Sequence, residues 1–249
     1  MIDVLTGERH DRRAIETAAD GTVVQVAATA PPGQDAVDVA GRWLLPGLIS
    51  CHTHLSIVFP FSATDEAEHP ALTAYRSATR ASEALRAGIT TVRCVHEQNR
   101  ADLLLRTAVR RGWFAAPRIL GAGRAVSTPG GHGQGSACAY ATGEQEFYAA
   151  ALAELAAGAD HVKIFINSGL AGPDEHYEHP EMTDGEIRGA VRAAAEHTTP
   201  TSSPTRASRP RSARRWPRAC AASSMPTGWT TRPRPFWPAR ACSLRQRYV

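Results

Sequence analysis

The sequence predicts an α/β protein with parallel strands, and three observations carry that prediction. Between Trp43 and His197, short β-branched apolar runs alternate with longer stretches of helical period. A β-rich leader precedes them, and after His197 every periodic signal stops.

The leader, residues 1–42, is expected to form a small β element: alternating VVQVA, a Pro-Pro-Gly turn, then AVDVAG. About four β/α units should follow. Strands are expected over Trp43–Ser50, Thr90–Val95, Arg118–Gly123 and His161–Ile166, with helices over Ala71–Ala87, Arg100–Gly112, Gly143–Ala157 and Thr183–His197. The last helix opens on a capping box, Thr183 with Glu186 three residues on, which satisfies two orphan backbone donors.

Composition narrows the class. With 249 residues, 43% of them hydrophobic, the chain can bury a sizeable core. MIDVLTGERHDRR lacks the charged-then-apolar build of a signal peptide, and no apolar run nears the roughly 18 residues of a membrane span, so a cytoplasmic protein is expected. The cysteines Cys51, Cys94, Cys138, Cys220 and Cys242 are scattered, without C-x-x-C spacing, and indicate neither a disulfide framework nor a structural zinc site.

The net charge of +4 hides a sharp division. All 24 acidic residues, all 10 histidines and 17 of the basic residues lie at or before His197, a formal −7; the 52 residues 198–249 hold 11 arginines and no acid. That tail is dense in Arg, Pro and Ser and has no period of 2 or 3.6. One reading is a disordered basic tail. The favoured reading is translation out of frame: joining the third base of each codon to the next two allows YVVAHA from Thr199 onward and SIEHAN across Ser224 and Met225, restoring strands with histidines near their ends.

The chemistry centres on His52-Thr53-His54. On a strand, residues two apart share a side, so both imidazoles can face one ion. Alone, H-x-H fits ordinary surface or core histidines better than a metal site. Its setting strengthens the metal reading, because it follows an apolar strand introduced by Pro46-Gly47 and catalytic groups of parallel barrels gather at strand carboxyl ends.

Residues 1–197 resemble the metal-dependent amidohydrolase superfamily, in the branch that includes prolidase-like and imidazolonepropionase-related enzymes. The matching stretches are VDVAGRWLLPGLISCHTHL, AGITTVR, PRILGAGRAVSTPGGHG, GADHVKIF and EMTDGEIRGAVRAAAEH, in family order. The resemblance implies a (β/α)8 TIM-type barrel, here incomplete, with an N-terminal β-sandwich element in residues 1–42, a first barrel half in 43–197 and the tail in 198–249. It also implies hydrolysis of a C–N bond, in an amide, dipeptide-like or cyclic amide substrate, by hydroxide activated on two divalent metal ions, taken to be zinc. The implied metal ligands are His52, His54 and Lys163, the lysine as a bridging carbamate; His132 in GGHG is implied to contact substrate.

Physical reading supports an unusual lysine, since Lys163 lies in VKIFI, a run that a parallel barrel buries on both sides. A lysine snorkelling out at the strand end is the alternative. His132 also reads as a plain loop histidine, and DEHYEH, residues 174–179, reads better as a solvated acidic loop than as a second ligand cluster. Cys51 and Cys94 have no identifiable base partner and are not expected to be nucleophiles.

Two departures stand out. Ser50 and Cys94 occupy places where many relatives carry Asp, and the histidines of the fifth and sixth strands and the catalytic Asp of the eighth have no counterpart in the chain as it stands. Little or no turnover is therefore expected, with no catalytic residue assigned. A homo-oligomer would be compatible with this reading, and neither a membrane nor nucleic acid is an expected partner. The rival is a non-enzymatic binder whose arginines, interleaved with Trp216, Trp229 and Trp237, contact nucleic acid.

Overall fold

The computed structural model describes residues 1–30, 36–169 and 178–198. The tail and most of DEHYEH lie outside the described residues. One compact unit comprises Met1–Gly47, and a second begins at Leu48.

In the first unit, β1 (Ala14–Thr17) and β2 (Val23–Ala27) pair antiparallel, with Ile15 opposite Val26 and Glu16 opposite Gln25. Gly21, at φ +82°, closes the turn, and its N–H donates to the Ala18 carbonyl at 2.9 Å. The alternation of VVQVA thus forms its strand, but Val23, Val24 and Val26 are all exposed. AVDVAG forms no strand: the Asp38 carboxylate accepts the Ala40 N–H at 2.8 Å and the backbone turns through positive φ at Ala40 and Gly41.

The second unit holds β3 (Leu48–Thr53), α1 (Pro70–Arg86), β4 (Ile89–Cys94), α2 (Ala101–Arg110), β5 (Arg118–Leu120), β6 (Val126–Ser127), β7 (Ala139–Tyr140), α3 (Gly143–Ala156) and α4 (Asp184–Thr198). The order β3-β4-β5 is all parallel, as the alternation of strands and helices predicts. β3 starts five residues later than expected. Its ladder begins only where a partner exists, Leu48 opposite Ile89, and runs on through the first histidine to Thr53. Leu55, Ala81, Val92, Cys94, Leu105 and Ile119 form the core between this sheet and α1 and α2.

Helix ends follow local chemistry. Pro70 takes the first position of α1 while the His69 ring accepts the Ala71 N–H at 3.2 Å. α2 starts after Asn99 and Arg100, both left-handed. The capping box of α4 is formed: the Glu186 carboxylate accepts the Thr183 N–H at 2.7 Å, and the Glu186 N–H donates to the Thr183 hydroxyl at 3.3 Å.

The expected strand His161–Ile166 is buried but not regular. Single links tie it in: Asp160 N–H to the Gly121 carbonyl at 2.7 Å and Val126 N–H to the Lys163 carbonyl at 2.9 Å. The cause lies in its neighbour. β5 stops at Leu120 because Gly123 turns at φ +67°, and a β-carbon at Gly121 would sit 2.6 Å from the Asp102 carboxylate. Val162 and Ile164 still point into a second core with Phe147, Leu155, Met182, Ala190 and Ala193, which joins α3, α4 and this segment. Glu154 of α3, 1% exposed, binds both Arg100 and Arg124, at 2.6 and 2.9 Å.

Candidate active site

β3 delivers the H-x-H at its carboxyl end. His52 is exposed and His54 half-buried, with ring centroids 5.2 Å apart and planes at 68°. The Nδ1 of His54 lies 2.9 Å from the His96 carbonyl oxygen. A carbonyl only accepts, so Nδ1 carries the proton and the Nε2 lone pair is left for a ligand.

His96 is itself pinned in full burial. Its Nδ1 accepts the Ala125 N–H at 3.0 Å, and Nε2–H donates to the Ser136 carbonyl at 2.8 Å. The next residue, Glu97, is also fully buried, and its carboxylate receives the N–H groups of Leu55 and Ser56, both at 2.6 Å. Two consecutive residues after β4 therefore fix both the ring and the backbone that follow the H-x-H.

Lys163 is 2% exposed, with its Nζ 4.5 Å from the centroid of the Phe165 ring. It lies near enough to depress the pKa of His52 and His54. Burial lowers His52 first, then the charges of Lys163 and Arg93. Burial takes His54 down to about 4 against the opposing hydrogen bond to His96, with His52, Lys163 and His132 adding to the fall. Both imidazoles are thus neutral near neutral pH, the form that ligates a metal. Burial likewise puts His96 and His161 at about 3.

His132 enters from the glycine-rich loop. Glu181 holds it there, accepting the His132 N–H at 2.8 Å and the Ser168 hydroxyl at 2.7 Å. Gly169 lies against the ring so closely that a β-carbon there would overlap it at 1.9 Å. His52 and His54 pack on each other, while His132 and Lys163 share the Phe165 ring, at 4.9 and 4.5 Å from its centroid.

Ser50 and the buried cysteines have other partners. Ser50 bonds to Thr53, oxygen to oxygen at 2.7 Å, and donates to the His52 carbonyl at 3.4 Å. Cys94 and Cys138 are buried, and burial pushes their thiols up, Cys138 to about 12, so both stay protonated. His96, Glu97 and Glu181 escape sequence reading; the only hint for His96 and Glu97 was their position just after an expected strand.

Two imidazoles, one with its tautomer fixed, fit part of a divalent-ion site, and a buried lysine can add oxygen ligands only as a carbamate. Among the described residues no group of three or more His, Cys, Asp or Glu could hold an ion.

Residues 43–203 match the amidohydrolase family. The chain belongs to that family. The chain is 41% identical over 66 residues to an imidazolonepropionase of Hyphomonas neptunium, a match covering 26% of the chain and 16% of that enzyme. A second imidazolonepropionase, of Mesorhizobium japonicum, is 36% identical over 91 residues, covering 36% and 21%. Among solved structures, a prolidase complexed with N-methylphosphonate-L-proline aligns with TM-score 0.68 at 26% identity, over 78% of this chain and 52% of that one. A Xaa-Pro dipeptidase with methionine in its active site aligns with TM-score 0.53 at 28% identity, covering 61% and 41%. The chain thus spans about half the length of the solved prolidase and much less of the matched imidazolonepropionases. It shares their mixed α/β build with parallel strands.

Proposed function

We propose that this chain carries the metal-holding part of a hydrolase of C–N bonds, on part of a (β/α)8 barrel, with residues 1–42 as its β-sandwich element. The observation that carries the reading is the convergence of His52, His54 and the buried Lys163, with the His54 tautomer fixed by the His96 carbonyl. Prolidase and imidazolonepropionase relatives make a small amide or cyclic amide the natural substrate.

His52 and His54 would hold a divalent ion, zinc by preference, with Lys163 as a carbamate bridging to a second. Such ions supply Lewis acidity to water and to the scissile carbonyl. The chain's own residues do the rest. His96 and Glu97 keep the β3 end rigid, Lys163 stays out of bulk water, and His132 stands ready to meet the substrate. Because this set is only part of what the family uses, we expect little or no turnover from the chain as it stands.

The test is zinc and cobalt titration of the full chain, read by bound metal after dialysis and by the cobalt absorption spectrum. Uptake that disappears in the double variant His52→Ala, His54→Ala supports the reading. No uptake, or uptake unchanged by the double variant, overturns it.

We infer separately that residues 198–249 are read out of frame, on the evidence of their composition. Resequencing the DNA around the His197 codon tests this: a shifted open frame encoding the two histidines is expected, and an unchanged frame refutes it.

A further inference from the structure

Six aromatic rings touch in a closed circuit that passes through both His54 and His132. From His54 to Phe59 the centroids are 5.9 Å apart, Phe59 to Phe61 4.9 Å, and Phe61 to His132 5.4 Å. The circuit returns from His132 to Phe165 at 4.9 Å, Phe165 to His96 at 6.1 Å, and His96 to His54 at 6.2 Å. Four of the six pairs meet edge to face, the arrangement aromatic quadrupoles favour.

Burial within the circuit is uneven. Phe61 and Phe165 are 9% and 6% exposed, while Phe59, next to His54, is 57% exposed. The loop bearing Phe59 and Phe61 is tied in place: Gln98 donates to the Asp65 carbonyl at 2.5 Å, and Glu66 accepts the Ala137 N–H at 2.8 Å. Phe59 therefore stands as a positioned apolar face beside the imidazoles. Apolar walls with a few convergent polar groups are how small-molecule sites are built.

We propose that Phe59, backed by the buried Phe61 and Phe165, forms a subsite for an aromatic group of the amide substrate, next to the scissile bond. This rests on the hydrolase reading and adds the substrate class. An edge or face of a ligand ring would complete the packing that Phe59 now offers to water.

The test uses the full chain with and without zinc, and calorimetry with three probes: N-benzoylglycine, N-acetyl-L-phenylalanine and N-acetylglycine. An aromatic probe should bind about 10-fold tighter than N-acetylglycine. Preference for the benzoyl probe places the subsite on the acyl side, and preference for the phenylalanine probe places it on the amine side. Phe59→Ala should abolish the preference, and Phe59→Trp should retain it. Equal binding of all three probes, or a preference that survives Phe59→Ala, overturns the proposal. If the chain takes up zinc but shows no aromatic preference, the subsite fails and the hydrolase reading stands. A Phe59-dependent preference without zinc uptake sinks the hydrolase reading and leaves the subsite.

Discussion

The Nδ1–H of His54 donates to the main-chain carbonyl of His96 at 2.9 Å, across a sheet step that joins the ends of β3 and β4. The His96 ring locks that carbonyl in place through Ala125 and Ser136. His96→Ala keeps the carbonyl but frees the backbone that bears it. Zinc affinity should fall about 10- to 100-fold, as on loss of other outer partners of ligating histidines, and the cobalt spectrum should broaden. Unchanged affinity would remove His96 from any positioning role.

Lys163 separates folding from ion binding. Lys163→Met keeps a buried unbranched side chain of similar volume, so the far-UV circular dichroism spectrum should be unchanged. If Lys163 holds metal as proposed, retention should fall about 10-fold or more in this variant. Added bicarbonate should raise zinc uptake by the parent chain and not by the variant.

Glu154 clamps α3 to the segments bearing Arg100 and Arg124. Glu154→Gln removes the charge that both guanidinium groups bind. Because those arginines are about one-third exposed and can be rehydrated, the cost should be about 2–3 kcal/mol rather than more. Urea unfolding of the pair of proteins measures it.

The α4 cap gives a pH signature. Burial raises the Glu186 pKa, but hydrogen bonds from Gly143 and Thr183 together bring it below its ordinary 4.5. A lowered folded value means stability present above pH 4.5 and lost as pH falls through the folded pKa. Glu186→Gln should flatten that part of the stability curve. Thr183→Ala should cost about 1 kcal/mol at neutral pH.

Much of this was legible from residue order. Strand period placed His52 and His54 on one side, and the apolar run VKIFI marked Lys163 as buried, which it is at 2% exposure. The start of α4 followed from Thr183 and Glu186, whose effect is local. The segment around Lys163 is not a regular strand because Gly121 and Gly123 end the neighbouring ladder to make room for Asp102 and Glu154, carboxylates far off in sequence. AVDVAG alternates like a strand, yet Asp38 captures its own backbone. His96 was invisible for a different reason: it serves His54 through a main-chain atom 42 residues away, and no side-chain pattern encodes that.

Where α3 crosses α4, Gly189 lies so near the Glu144 carbonyl that a β-carbon would stand 2.2 Å from its oxygen. The same helix pair packs on Val162 and Ile164, the immediate neighbours of Lys163. One added methyl at Gly189 would act as a wedge, prying the helices apart and tilting the lysine away from the imidazoles. Mutational drift that spares every chemical group would still detune the site, through a shim remote from it.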